Sequence, residues 1–105
     1  MPKNEGDIRG EKLRDLAVKV HEMIVDTMGT TKGTRYDADL ERAEGINELA
    51  EMVATLHPFV DGNRRTAFTI WCLGQDRFKW EDITITDIRR VIEKYRGWLD
   101  ILAKI

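Results

Sequence analysis

His57-Pro58-Phe59-Val60-Asp61-Gly62-Asn63-Arg64-Arg65-Thr66-Ala67-Phe68 decides how the rest of the chain is read. An apolar helical pattern precedes this stretch and another follows it. It is therefore a loop set between two helices, the second opening near Asn63. Pro58 disfavours helical backbone at the residue before it and ends the preceding helix at His57. Phe59 is the side chain that plugs the loop into a core.

Such a loop favours a phosphate. A helix N-terminus leaves backbone N–H groups without intrahelical partners and carries partial positive charge. Gly62 allows a turn, or a close backbone approach, that a side chain forbids. Asn63 serves as an N-cap or as a brace for the loop. Arg64 and Arg65 stand in the first turn, the wrong end of a helix for cations, which points to a negative ligand between them. Asp61 offers the hard oxygen that Mg²⁺ takes when it bridges to phosphates. Within this stretch only His57 is of the residue type that exchanges a proton near neutrality.

The flanking patterns are helical. Leu13, Leu16, Ala17, Val20, Ile24 and Met28 recur at three- and four-residue spacing and predict a helix over 8–28, with Gly29 as its stop. His21 falls one residue past that stripe and reads as a surface or flanking residue. Residues 29–38, rich in glycine, threonine and charge, are the main irregular segment. A second helix is predicted over 39–56 from Leu40, Ala43, Leu49, Ala50, Val53 and Leu56. A third, over 63–73, is apolar almost all round and should be central and buried, with Cys72 as a small hydrophobe inside it and Gly74 ending it. Residues 75–83 form a polar connection in which Phe78 and Trp80 are core anchors or the walls of an adenine pocket. A last helix starts near Thr84 or Thr86, and Thr84 with Asp87 has the spacing of a capping box. Ile88, Val91, Ile92, Tyr95, Leu99 and Leu102 carry its stripe to the end. Four helical patterns and almost no alternating pattern predict an all-α bundle.

Composition fits one domain over residues 1–105. Hydrophobic residues at 42% and charged residues at 34% give a globular balance rather than a disordered one. A net charge of −2 gives no bulk support for general nucleic-acid binding. No apolar run reaches the ~20 residues of a membrane span. The polar residues 1–7 lack a signal-peptide core, and one cysteine excludes an internal disulfide, which together fit the cytoplasm. Two histidines and one cysteine are too few for a zinc site.

The stretch resembles the Fic/Doc signature, H-P-F-x-D/E-G-N-x-R, matching it at His57, Pro58, Phe59, Asp61, Gly62, Asn63 and Arg65. The resemblance implies a small Fic/Doc-type helical bundle with the motif loop at the N-terminus of its central helix. It implies that His57 deprotonates a target hydroxyl and that Asp61 holds Mg²⁺ on the phosphates of ATP. Backbone N–H groups of Gly62, Asn63 and Arg64 would form an anion hole, and Arg65 would grip a phosphate. It also implies a flap ahead of the motif helix that pairs with the target's backbone, for which residues 29–38 are the candidate, a plain helix connector being the other reading.

Two positions separate the branches of the family. Adenylyl-transferring members usually have Gly where this chain has Arg64, and a further Arg where it has Phe68. The Doc branch has a cation, usually Lys, followed by Arg-Thr-Ala, which Arg64-Arg65-Thr66-Ala67 resembles. Doc-type proteins bind ATP in the reverse sense and transfer its γ-phosphate. The resemblance thus implies a toxin kinase acting on a Ser or Thr hydroxyl of a translation factor such as elongation factor Tu. Adenylyl transfer is the alternative with the same site, and a degenerate binding protein the alternative without chemistry. The inhibitory pattern Ser/Thr-x-x-x-Glu-Gly/Asn is not met, because Leu40 stands at the hydroxyl position ahead of Glu44-Gly45. Inhibition would then come from an antitoxin in trans.

Overall fold

Residues 5–76 and 79–104 are described by a computed structural model. Five α-helices follow in order: α1 (Glu5–Met28), α2 (Ile46–Leu56), α3 (Asn63–Asp76), α4 (Ile85–Lys94) and α5 (Arg96–Leu102). Short 3-10 turns stand at Leu40–Arg42 and Trp80–Asp82. There is no strand among the described residues, and the fold is the all-α bundle that the periodicity predicts. No helix among them is long and apolar enough to cross a membrane.

The predicted stripes form the core except towards their ends, where Leu56 is 38% exposed and Met28, Tyr95 and Leu102 are half-buried. Leu13, Leu16, Ala17, Val20 and Ile24 of α1 meet Leu49, Ala50 and Val53 of α2. Ala67, Ile70, Cys72 and Leu73 of α3, Ile88, Val91 and Ile92 of α4, and Leu99 of α5 complete the cluster. Burying each large aliphatic side chain contributes about 1.5–3 kcal/mol. α3 packs against each of the other four helices, so the motif loop at its N-terminus rests on the centre of the bundle. Burial pushes the Cys72 thiol up to about 11, with Asp76 adding to the effect, so the thiol stays protonated and inert.

Four boundaries differ from the periodicity. α1 begins at Glu5, ahead of Ile8. The predicted second helix breaks: Leu40–Arg42 is a single 3-10 turn, Ala43 is extended, and α2 starts only after the extended Gly45. Gly74 does not end α3, which runs on to Asp76, because a glycine inside a helix is tolerated where a neighbour comes close, here Ile46. The last helix divides at Tyr95, whose φ −108, ψ 22 leaves helical geometry, and its ring packs edge-on against Phe68 at 5.8 Å. α3 is central as expected but not buried all round, since Trp71 is 48% exposed. Trp80 is buried, in keeping with a core anchor, while Phe78 lies outside the described residues.

Two local features give stability predictions. A Cβ on Gly10 would lie 2.2 Å from the Glu41 carbonyl oxygen, so this glycine lets α1 touch the backbone of the Leu40–Arg42 turn. Gly10→Ala is expected to cost about 1–3 kcal/mol, read as a lower urea midpoint, although alanine favours the helix itself. At the start of α4 the Thr84 hydroxyl accepts from Asp87 N–H at 3.2 Å and Asp87 Oδ2 accepts from Thr84 N–H at 2.9 Å, the predicted capping box. Thr84→Ala is expected to cost about 1 kcal/mol in the same measurement.

Candidate active site

The loop between α2 and α3 is built from both ends. His57 caps α2 with φ 51, ψ 58, and its N–H donates to Val53 O at 3.2 Å. Left-handed backbone is uncommon for a residue with a Cβ, although histidine is among the side chains enriched there. This conformation turns the chain sharply out of the helix and places His57 at the cleft. Phe59 is 2% exposed, the predicted plug. Gly62 has φ +79, and a Cβ there would lie 2.8 Å from Thr30 Cγ2, so glycine is required for both shape and space. Its carbonyl accepts the first α3 bond, from Thr66 N–H at 2.9 Å.

Asn63 braces the loop. Its carboxamide accepts from Phe59 N–H and donates to Phe59 O, both at 2.9 Å. The amide thereby stands in for a neighbouring strand along one edge of the motif segment. On the opposite edge the segment pairs with residues 33–35. Thr34 and Phe59 form an antiparallel bridge, with Arg35 N–H donating to Pro58 O at 2.7 Å and Val60 N–H donating to Gly33 O at 2.9 Å. The Tyr36 hydroxyl donates to Leu56 O. Residues 29–38 therefore do more than connect helices: they lie along the motif loop as a short ribbon.

Asp61, Arg65 and Thr30 tie these parts together. Arg65 is 8% exposed; it donates to Thr30 Oγ1 at 2.7 Å and faces Asp61 Oδ1 at 3.5 Å. Asp61 Oδ1 also accepts from Gly62 N–H at 2.8 Å, and Oδ2 takes the Thr31 N–H at 3.4 Å. The carboxylate is held at the N-terminal end of α3, where a helix favours negative charge. Gly62 N–H, which the resemblance assigns to the anion hole, is engaged by Asp61 Oδ1, and the first-turn donors beyond it are the N–H groups of Asn63, Arg64 and Arg65.

His57, Asp61, Gly62, Asn63, Arg64 and Arg65 all line one cleft of about 220 Å³. Arg35 joins them from the ribbon, and Leu102 with Ala103 closes one side from α5. Among the described residues that line the cleft, three are arginines and one is a carboxylate, a cationic balance in a chain of net charge −2. Arg35 carried no signal in the sequence beyond a charge in a loop; only the pairing with Pro58 brings it to the site.

His21 departs most from its expected place. It is 4% exposed, not flanking. Its ring stacks on Phe59 with centroids 3.9 Å apart and planes within 5°, and Nε2 lies 2.8 Å from Asp61 O. A carbonyl only accepts, so Nε2 carries the proton. A residue one step beyond an apolar stripe is exposed only when nothing packs there, and here the motif loop does. Burial pushes the imidazole below its ordinary value of 6.5, against the weaker opposite pull of the Asp61 carbonyl and the carboxylates of Asp61 and Glu22.

A metal bridging to phosphates needs few protein oxygens, because phosphate and water supply the remainder. Asp61, half-exposed at the cleft, can offer an oxygen in that way. Among the described residues the only cluster of three acidic groups, Asp37, Asp39 and Glu41, does not line this cleft.

The family model for the Fic/DOC family matches residues 4–73. Comparisons with curated proteins and with solved structures give no match. The matched span holds the ribbon, the motif loop and every residue lining the cleft except Leu102 and Ala103. Taken with the helical bundle around that loop, this match shows that the chain belongs to the Fic/DOC family.

Proposed function

We propose that this protein is a Doc-like kinase that moves the γ-phosphate of ATP to a Ser or Thr hydroxyl of a protein. The observation that carries the proposal is the convergence of a histidine, a carboxylate, a helix N-terminus and three arginines on one small cleft. His57 takes the proton of the target hydroxyl as its oxygen bonds to the γ-phosphorus and the bond to the β-phosphate oxygen breaks, releasing ADP. The N–H groups of Asn63 and Arg64, with the guanidinium of Arg65, hold phosphate oxygens. Mg²⁺ on Asp61 would neutralise phosphate charge. Arg65, already oriented by Thr30 and Asp61, loses little side-chain freedom on binding.

Kinase is preferred to adenylyl transfer because a cation stands at position 64 and no arginine at position 68. Phe68 packs against Tyr95 and faces an apolar groove rather than the cleft. The outer edge of the ribbon supports a protein target: Thr34 is exposed, and its N–H and C=O point away from Phe59 in a bridge of this pattern. Those two groups are free to pair with an extended segment of another chain. A translation factor such as elongation factor Tu is the target, and an antitoxin in trans the inhibitor, that the family resemblance brings to this proposal.

Label transfer tests it. The protein is incubated with Mg²⁺, a cell lysate and ATP labelled on the α- or the γ-phosphate. Transfer of γ-label alone to a protein band is the expected result. Transfer of α-label makes the protein an adenylyl transferase, and transfer of neither removes the catalytic reading.

A further inference from the structure

A second recess lies on the other face of the ribbon. It has a volume of about 610 Å³ and is bounded by α1 on one wall and residues 32–34 on the other, with Phe59 and His21 between them. Val18, His21, Glu22 and Val25 follow at the spacing of one helical face, and Asp26 lies one turn beyond Glu22. This is a second stripe on α1, distinct from its core stripe. Val18 is 37% exposed, and Glu22 and Asp26 are exposed with no ion-pair partner among the described residues.

The ribbon relates this recess to the cleft by parity. Thr34 and Phe59 are directly opposed, share one face and line the recess. Arg35 and Val60 are each one residue away and line the cleft with His57. A strand added along the open edge of Thr34 inherits the alternation. The added residue opposite Thr34 enters the recess, and its neighbours turn to the His57 face.

We infer that this recess selects the residue next to the modified hydroxyl, and that it takes a long side chain with an apolar stem and a cationic head, lysine or arginine. The inference rests on the transferase reading. The stem lies along Val18 and Val25, and the head reaches Glu22 and Asp26. Lys32 stands on the facing wall, so the head meets two carboxylates on the helix side for one ammonium on the ribbon side. The substrate class is therefore an extended segment with a basic residue beside the target Ser or Thr.

The test measures binding and transfer on the same peptides. Fluorescent peptides with one Ser carry Arg, Lys, norleucine or Glu beside it, and anisotropy gives their affinities. The Arg and Lys peptides are expected to bind about fivefold more tightly than norleucine and about 20-fold more tightly than Glu. The double variant Glu22→Lys/Asp26→Lys, checked for its fold by circular dichroism, is expected to reverse that order. Thr34→Pro, which lacks the edge N–H, is expected to weaken all four peptides alike. Equal affinities, a preference for Glu, or an order unchanged in the double variant would overturn the inference. γ-Label transfer from ATP to these peptides separates the two readings. Transfer without a basic preference removes the recess alone, whereas a basic preference in binding without transfer keeps the recess and removes the kinase.

Discussion

His57→Gly is expected to lower label transfer by about 10²–10⁴-fold and to raise the melting temperature. Both effects come from one position. In the proposed kinase reaction the imidazole at the cleft is the base, so removing it would leave phosphate binding without one. The backbone of His57, at φ 51 and ψ 58, is in the left-handed region, which costs a residue with a Cβ about 1–2 kcal/mol. Glycine relieves that cost, less what it loses to the freedom of the unfolded chain and to the missing contacts of a half-buried ring. With about 0.5–1 kcal/mol subtracted for glycine's freedom, a net gain of at most about 1 kcal/mol is expected, read by thermal unfolding. His57→Asn separates the causes, since asparagine tolerates this backbone but does not accept the proton: transfer is lost and stability stays near that of the parent. Wild-type transfer in both variants would move the base elsewhere. The only other histidine, His21, has its Nε2 proton committed to Asp61 O.

What the sequence revealed follows from the range of its interactions. Helix stripes are local in register, and Leu13 to Ile24, Leu49 to Val53 and Ile88 to Leu99 were legible because burial imposes a period on neighbouring residues. The capping box at Thr84 was legible for the same reason. The motif residues could be read as one site because they adjoin in the chain. Three things were hidden. The division at Tyr95 has no breaker at that position and the stripe runs unbroken through it, whereas the break at 43–45 falls beside Gly45, a residue type that interrupts helices. Thr30 as the buried partner of Arg65 depends on a contact between residues 35 apart. His21 depends on one 40 residues away, and no local pattern can report where a distant loop will land.

That distant contact carries the second large effect. His21 joins α1 to the motif loop twice, by the stack on Phe59 and by the bond to Asp61 O, so it fixes the backbone of the residue whose side chain meets Arg65 and the start of α3. His21→Ala removes both ties and is expected to cost about 3 kcal/mol of stability. His21→Phe keeps a stacked ring but leaves the Asp61 carbonyl without its donor, and is expected to cost about 1–2 kcal/mol. The sign of the pH effect follows from burial. The folded state holds His21 below 6.5, so above that value both states are neutral and the contribution is intact. As pH falls below 6.5 the unfolded chain takes a proton that the folded chain refuses, and stability declines until the folded value is passed. Urea midpoints measured through that window should fall in the parent and fall less steeply in His21→Phe. Transfer by His21→Phe should drop through kcat more than through KM for the protein target, because the displaced group is the Asp61 loop and not the ribbon edge at Thr34. A parallel pH dependence in parent and variant would show that the imidazole does not report on the loop, and unchanged kcat would show that Asp61 holds its position without it.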